Sequence, residues 1–257
     1  MNILITVCGR AGSTGVKNKN IRNFLGFPLI NYTVAAANLF KKENPNYNID
    51  LSINSDSEEL LNMFNKNKDV ICIERPTELA QQNSPKVPVI RYSLNYVEKK
   101  LNKIYDYIID LDITSPLRKT ADIENALKKA ISNLQTDVVF SVVHSRRNPY
   151  FNMVEERNGK IKKIISSDFV TRQQAPQVYD MNASIYCYKR DSLINVLKNS
   201  PLEGNYDIVL MKDTAVIDID SEEDFELMEV LGEYFFKDEF NELYRYINNI
   251  KTLPNKI

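Results

Sequence analysis

The chain is poor in the residues that several function classes require. It has a single histidine, His144, and only three cysteines among 257 residues. One imidazole excludes zinc centres that need several histidines, and nothing around it resembles the nucleophile elbow of a Ser-His-Asp hydrolase. Cys8, Cys72 and Cys187 lie far apart in apolar segments without ligand spacing, so they read as buried reduced thiols rather than a metal set. Net charge is also small, a formal −1, since 33 Lys and Arg nearly balance 34 Asp and Glu. A whole-molecule basic field of the kind that attracts nucleic acid or acidic membranes is therefore excluded, and any anion site must be local. No apolar run approaches the roughly 18 residues of a membrane span. Met1-Asn2 leads directly into an apolar strand pattern without a secretory leader, and the expectation is a cytoplasmic protein with no membrane partner.

Glycine is scarce too, but not evenly. Three of the seven glycines fall in Gly9-Arg10-Ala11-Gly12-Ser13-Thr14-Gly15-Val16-Lys17-Asn18-Lys19-Asn20, directly after the apolar run Asn2 to Cys8. Glycines let backbone N–H groups turn toward an anion, and Arg10, Lys17 and Lys19 can neutralise it. The spacing is neither a Walker A loop nor GxGxxG, and a solvated surface turn is the competing reading. Near the other end, Asp218 and Asp220 stand two apart after an apolar run, so on a strand they leave the same face. Two such carboxylates suit Mg²⁺ shared with substrate phosphates, or else a polar strand end before a helix capped by Ser221.

Between these poles, short β-branched runs alternate with longer amphipathic stretches, the pattern of an α/β fold with a mostly parallel sheet. Strands are expected at Asn2–Cys8, Ile49–Asn54, Val70–Glu74, Tyr105–Asp112, Asp137–Val143, Ser184–Tyr188 and Ala215–Ile219. Helices are expected at about Pro28–Lys41, Glu58–Asn67, Pro88–Asn102, Asp122–Asn133, Glu222–Leu231 and Phe240–Ile250. The alternation breaks after His144, where Phe151–Glu155 and Lys160–Ile165 flank Asn158-Gly159, a hairpin signal. That hairpin, within an arm at about 147–180, is too apolar to stand alone, and a homodimer contact is the natural expectation. The chain divides into a domain over 1–233 that includes this arm and a helical extension over 234–257.

Three further stretches complete a pattern: Arg75-Pro76-Thr77-Glu78-Leu79-Ala80, Thr114-Ser115-Pro116-Leu117-Arg118, and Arg172-Gln173-Gln174-Ala175-Pro176-Gln177 ahead of Asn182. Together with the glycine loop and Asp218-Ile219-Asp220, in this order, they resemble the acylneuraminate cytidylyltransferases, or CMP-sialic acid synthetases. The resemblance implies a single Rossmann-like domain of the nucleotide-diphospho-sugar transferase type with a protruding dimerisation arm. It implies a Mg²⁺-dependent reaction of CTP with a nine-carbon α-keto acid sugar, giving the CMP-sugar and pyrophosphate. Arg10, Ala11, Gly12, Ser13, Lys19, Asn20, Arg75 and Lys86 would bind the nucleotide. Asp112, Thr114, Ser115, Arg172, Gln173, Asn182 and Tyr186 would line the sugar site, with Arg172 reaching it from the partner subunit. Asp218 and Asp220 would hold the metal and, with Arg10 and Lys19, act in catalysis.

Two positions depart from that pattern. Thr14 stands where many relatives have lysine, and Asp112 replaces the usual glutamine, an extra anion that needs an amine, an amide or a cation beside it. These features, with the donors of Arg146-Arg147-Asn148-Pro149-Tyr150-Phe151-Asn152, look more like the branch acting on legionaminic acid than the sialic acid branch proper, with pseudaminic acid a further possibility. The eight-carbon KDO cytidylyltransferases fit less well, since their first loop lacks the run seen at Gly12 to Gly15. A metal-dependent glycosyltransferase and a catalytically silent nucleotide-binding protein remain as alternatives.

Overall fold

A computed structural model describes residues 1–12, 15–212 and 218–251. Ser13 and Thr14 thus lie outside the described residues, as does most of the strand expected over Ala215–Ile219.

The first strand, β1 (Asn2–Gly9), shows why the sheet is central. Ile3, Leu4, Ile5 and Val7 are all fully buried, which requires cover on both faces. Ile3, Ile5 and Val7 pack with α1 (Leu29–Glu43), while Leu4 packs on the other side. After α1 come β4 (Asn48–Ser55), α2 (Glu58–Asn62), β5 (Val70–Glu74), α3 (Lys86–Leu101), β6 (Tyr107–Leu111), α4 (Thr120–Ser132) and β7 (Val138–His144); a small hairpin of β2 (Asn23–Phe24) and β3 (Phe27–Pro28) precedes α1. The arm contributes β8 (Val154–Arg157) and β9 (Lys160–Lys163), and the chain returns through β10 (Tyr179–Lys189), α5 (Arg190–Asn195), β11 (Tyr206–Leu210), α6 (Glu222–Phe235) and α7 (Asn241–Lys251).

The seven-stranded sheet has the order β11-β7-β10-β6-β1-β4-β5. Only β10 runs antiparallel to its neighbours, so the mostly parallel α/β expectation holds. One layer carries α1, α2, α4, α6 and α7, and the other α3 and α5.

Local differences from the sequence reading have local causes. The helix expected to Asn67 ends at Asn62, where Asn65 donates to the Asn62 side chain and the following asparagines and lysines offer no apolar stripe to bury. The helix expected from Pro88 starts at Lys86, because a proline in the first turn has no N–H that the helix needs. The strand expected over Ser184–Tyr188 extends back to Tyr179 through an irregularity at which Ala183 has φ 51°. β11 was not foreseen. It is an edge strand whose Tyr206 and Leu210 stay exposed, so it lacks a buried apolar run.

In the arm, Asn158 and Gly159 take positive φ (53° and 74°), which two-residue hairpins require for a twist matching the strands. α7 lies against α1, burying Leu243 and Ile247 in the same core as β1.

Candidate active site

The carboxyl ends of β1, β5 and β6 open onto a cavity of about 230 Å³ whose lining includes Arg10, Arg75, Gln81, Ser84, Lys86 and Asp112. Each wall has a reason to be there. Arg75, just past β5, is 8% exposed, and Asn54 at the end of β4 fixes its guanidinium: Nε donates to Asn54 Oδ1 (2.6 Å) and Nη2 to the Asn54 carbonyl (3.0 Å). Asn54 is in turn held by its amide donating to Ser93 Oγ on α3 (2.9 Å).

Lys86, the first residue of α3, reaches across to β6. Its Nζ lies 2.9 Å from Asp110 Oδ2 and 2.6 Å from Asp112 Oδ2, and 5.1 Å from the centre of the Tyr186 ring on β10. Asp110 has no exposed side-chain surface, and its other oxygen accepts from Thr6 Oγ1 (2.7 Å). Asp112 Oδ1 accepts from the Thr114 hydroxyl (2.9 Å) and N–H (3.2 Å). Burial alone would push the Asp112 carboxyl up, but the Lys86 ammonium and the Thr114 donors outweigh it and hold it at about 2. Burial would likewise depress Lys86, yet Asp110 and Asp112 raise it well above its ordinary value. Lys86 and Asp112 are therefore both ionised at neutral pH, and of the amine, amide or cation expected beside the extra anion at Asp112, the structure places the Lys86 ammonium.

The glycine loop and the aspartate pair meet beside this cavity. A Cβ on Gly15 would come within 1.7 Å of the Asp220 carbonyl oxygen, so only glycine allows the two backbones to touch there. Lys19 reinforces the contact: its ammonium donates to the Ile219 carbonyl and lies 3.3 Å from Asp220 Oδ1. On the other side the Ile219 N–H donates to the Thr114 carbonyl (3.4 Å). Within the loop, Asn20 donates to the Arg10 carbonyl (3.0 Å), Gly12 has φ +67°, and the Ala11 N–H donates to Asp56 Oδ1 (2.8 Å).

Asp218 Oδ1 is buried without a hydrogen-bond partner. Burial and the neighbouring Asp112, with a smaller push from Asp220, raise its carboxyl to about 6. An unpartnered buried carboxylate oxygen beside a second, exposed carboxylate is a donor set short of a cation, and hard oxygen ligands fit Mg²⁺. Among the described residues no group of three or more His, Cys, Asp or Glu is arranged to hold a metal, so this pair would need substrate oxygens to complete a shell.

The residues expected at the sugar site separate. Asp112, Thr114 and Tyr186 stand at the Lys86 cluster, and Ser115 is buried beside them in sequence. Asn182 is 2% exposed, accepts from Ser141 Oγ (2.6 Å) and donates to Met211 Sδ (3.4 Å), so its amide is engaged inside the sheet. Arg172 and Gln173 line a different cavity, of about 260 Å³, at the base of the arm with His144, Asn148 and Gln177, and Arg172 donates to the Ser145 carbonyl. Arg118 is 1% exposed and acts as a brace, its Nη2 donating to the carbonyls of Asp112 (2.8 Å) and Ser184 (2.7 Å). Asp110, Gln81 and Ser84 were not singled out in the sequence. The signal for Asp110 was a lone carboxylate inside the apolar run Ile108-Ile109-Asp110-Leu111.

No helix among the described residues is long and apolar enough to cross a membrane. The chain matches the family model described as cytidylyltransferase over residues 4–238. It is 40% identical over 233 residues to the post-translational flagellin modification protein B of Campylobacter coli, covering 89% of this chain and 94% of that protein. It is 39% identical, with the same coverage, to the CMP-N,N'-diacetyllegionaminic acid synthase of Campylobacter jejuni. Among solved structures, a CMP:2-keto-3-deoxy-manno-octonic acid synthetase complexed with CTP superposes with a TM-score of 0.63 at 15% identity, covering 91% of this chain and 99% of that one, which speaks for the fold. A loop, an arginine-lined cavity and an aspartate pair gathered at the carboxyl ends of a mostly parallel sheet, together with a family match over nearly the whole length, make this chain a member of the cytidylyltransferase family and a nucleotidyltransferase.

Proposed function

We propose that this enzyme transfers CMP from CTP to the anomeric hydroxyl of a nine-carbon α-keto acid sugar, with legionaminic acid favoured over sialic and pseudaminic acids, and releases pyrophosphate. The observation that carries the reading is a cavity lined by Arg10, Arg75, Lys86 and Asp112, with Thr114, bonded to Asp112, accepting from Ile219 of the Asp218–Asp220 segment. The relative named for N,N'-diacetyllegionaminic acid supports the choice of sugar.

The reaction joins a hydroxyl to a phosphorus surrounded by anionic oxygens, so charge must be neutralised and the two reactants held in line. Arg10 and the N–H groups of Ala11 and Gly12 would receive the triphosphate. Asp56, which accepts from the Ala11 N–H in the free chain, would have to yield that donor. Lys19 would hold the loop against the aspartate segment, where it already grips Ile219 and Asp220. Asp218 and Asp220 would hold Mg²⁺, which supplies Lewis-acid neutralisation of phosphate oxygens when bound. Tyr186 and Thr114 would border the sugar, with Arg172 supplied by the arm of a second copy in a homodimer.

The test is a coupled pyrophosphate assay with CTP and purified legionaminic, sialic or pseudaminic acid, with and without Mg²⁺. Expected is turnover that requires Mg²⁺ and CTP, with kcat/KM highest for legionaminic acid. Release of free CMP or UDP to an acceptor glycan would instead identify a glycosyltransferase, and CTP binding without turnover on any sugar would leave a silent nucleotide-binding protein. Asp220→Ala with unchanged Mg²⁺ dependence would remove the metal from this pair.

A further inference from the structure

We infer that Lys86 is a catalytic residue whose ammonium holds the α-phosphoryl group of the bound nucleotide for attack, and that Asp110 and Asp112 are positioning residues acting through it. The inference rests on the cytidylyl-transfer reading above and adds a role for three residues of this chain.

Position is the first argument. Lys86 lines the same cavity as Arg10 and Arg75, while Asp112 is joined through the Thr114 hydroxyl to the loop whose carbonyl receives the Ile219 N–H, between Asp218 and Asp220. The ammonium therefore lines the cavity at Asp112, the residue tied through Thr114 to the aspartate segment, and lies 5.1 Å from the centre of the Tyr186 ring. A nucleotide whose outer phosphates lie on the glycine loop and whose nucleoside enters the cavity places its α-phosphorus in that interval.

The second argument is the tethering. A lysine ordinarily keeps a mobile head, and ordering it costs rotamer entropy at the moment of binding. Here one N–H donor is spent on Asp112 Oδ2 (2.6 Å) and the Asp110 carboxylate stands 2.9 Å away as an ion pair, so the ammonium is held before substrate arrives and keeps donor capacity for the cavity. The Lys86 side chain is 32% exposed, whereas Asp110 is wholly buried, so the head is reachable and its anchor is not. Two carboxylates also offset its charge. It then pulls weakly on the ground-state triphosphate, yet remains a rigid donor for charge that builds around phosphorus as the sugar oxygen–phosphorus bond forms and the bridging bond breaks. The leaving pyrophosphate takes the bonding electron pair, and the sugar hydroxyl gives up its proton to solvent water.

The test uses the full chain as Lys86→Met, Lys86→Arg and Asp112→Asn, with folding checked by melting, CTP affinity by calorimetry and turnover at saturating CTP and sugar. Lys86→Met should lose about 100-fold in kcat with CTP Kd within about threefold of wild type. Lys86→Arg should recover part of that loss. Should Lys86→Met fail to fold because two buried carboxylates lose their cation, Asp112→Asn keeps the Lys86–Asp110 pair, and its kcat should fall about tenfold through a loosened ammonium. Wild-type kcat in a folded Lys86→Met or in Asp112→Asn overturns the inference. So does a loss confined to CTP Kd, or one confined to the KM of the sugar. If wild type itself forms no CMP-sugar, the functional reading falls and takes the inference with it, whereas active wild type with indifferent variants defeats the inference alone.

Discussion

At the scale of single residues, the site depends on contacts that bring distant parts of the chain to van der Waals range. Gly15 illustrates this. Its backbone lies so close to the Asp220 carbonyl that a methyl group would collide at 1.7 Å, and a carbonyl cannot move aside as a side chain can. Gly15 and Asp220 are both exposed, so the collision would part the loop from the aspartates without opening the core. Gly15→Ala is expected to lower the melting temperature by only a few degrees, about 1 kcal/mol, while weakening CTP at least about tenfold by calorimetry. Near-native CTP affinity in that variant would show the apposition to be dispensable. The glycine was visible in the sequence as part of a loop expected to bind an anion, but its partner at the far end of the chain was not. Asp112 shows the converse: the sequence raised the need for an amine, an amide or a cation beside it, and the structure supplied the Lys86 ammonium, which also pairs with Asp110.

At the scale of elements, those whose patterns depend on their own residues were legible, and those completed by a neighbour were not. β1 is apolar because both faces are covered, and the arm turn follows from Asn158-Gly159 alone. β11 escaped because an edge strand need bury little of itself, and the first half of β10 escaped because polar Asp180 and Asn182 interrupt it. The arm itself exposes Val154 (64%), Ile161 (66%) and Val170 (75%), more apolar surface than a two-stranded hairpin keeps in water without cover. A second copy of this chain is the expected cover. Ile161→Asp should convert a dimer to a monomer by light scattering at micromolar concentration and cost turnover, since Arg172 sits on the same arm. Persistence of the dimer would assign the interface elsewhere.

At the scale of the whole molecule, the terminal helices are tied to the sheet rather than appended to it. Glu239, between α6 and α7, accepts from Lys119 at the start of α4 (2.6 Å) and from Lys212 just past β11. These hydrogen bonds, Lys119 first, hold its carboxyl below the ordinary value of 4.5. A depressed carboxyl stabilises the fold above its unfolded value and loses that contribution as pH falls through the lower folded value. Glu239→Gln should therefore melt about 2–4 °C lower than wild type at pH 7, with the gap closing below pH 4.5. A gap that stayed constant into acid would mean that packing, not charge, sets the contribution. By itself, the sequence determined the α/β class, the hairpin turn, the glycine loop after the first strand and the ordered motifs of a cytidylyltransferase, because each is written in residues a few positions apart. Tertiary structure alone decided that Lys86 answers Asp112, that Gly15 meets Asp220, that Asn182 turns into the sheet and that Arg172 faces the arm cavity. Those contacts join residues far apart in the chain, and only the order of strands in the sheet determines which ends meet.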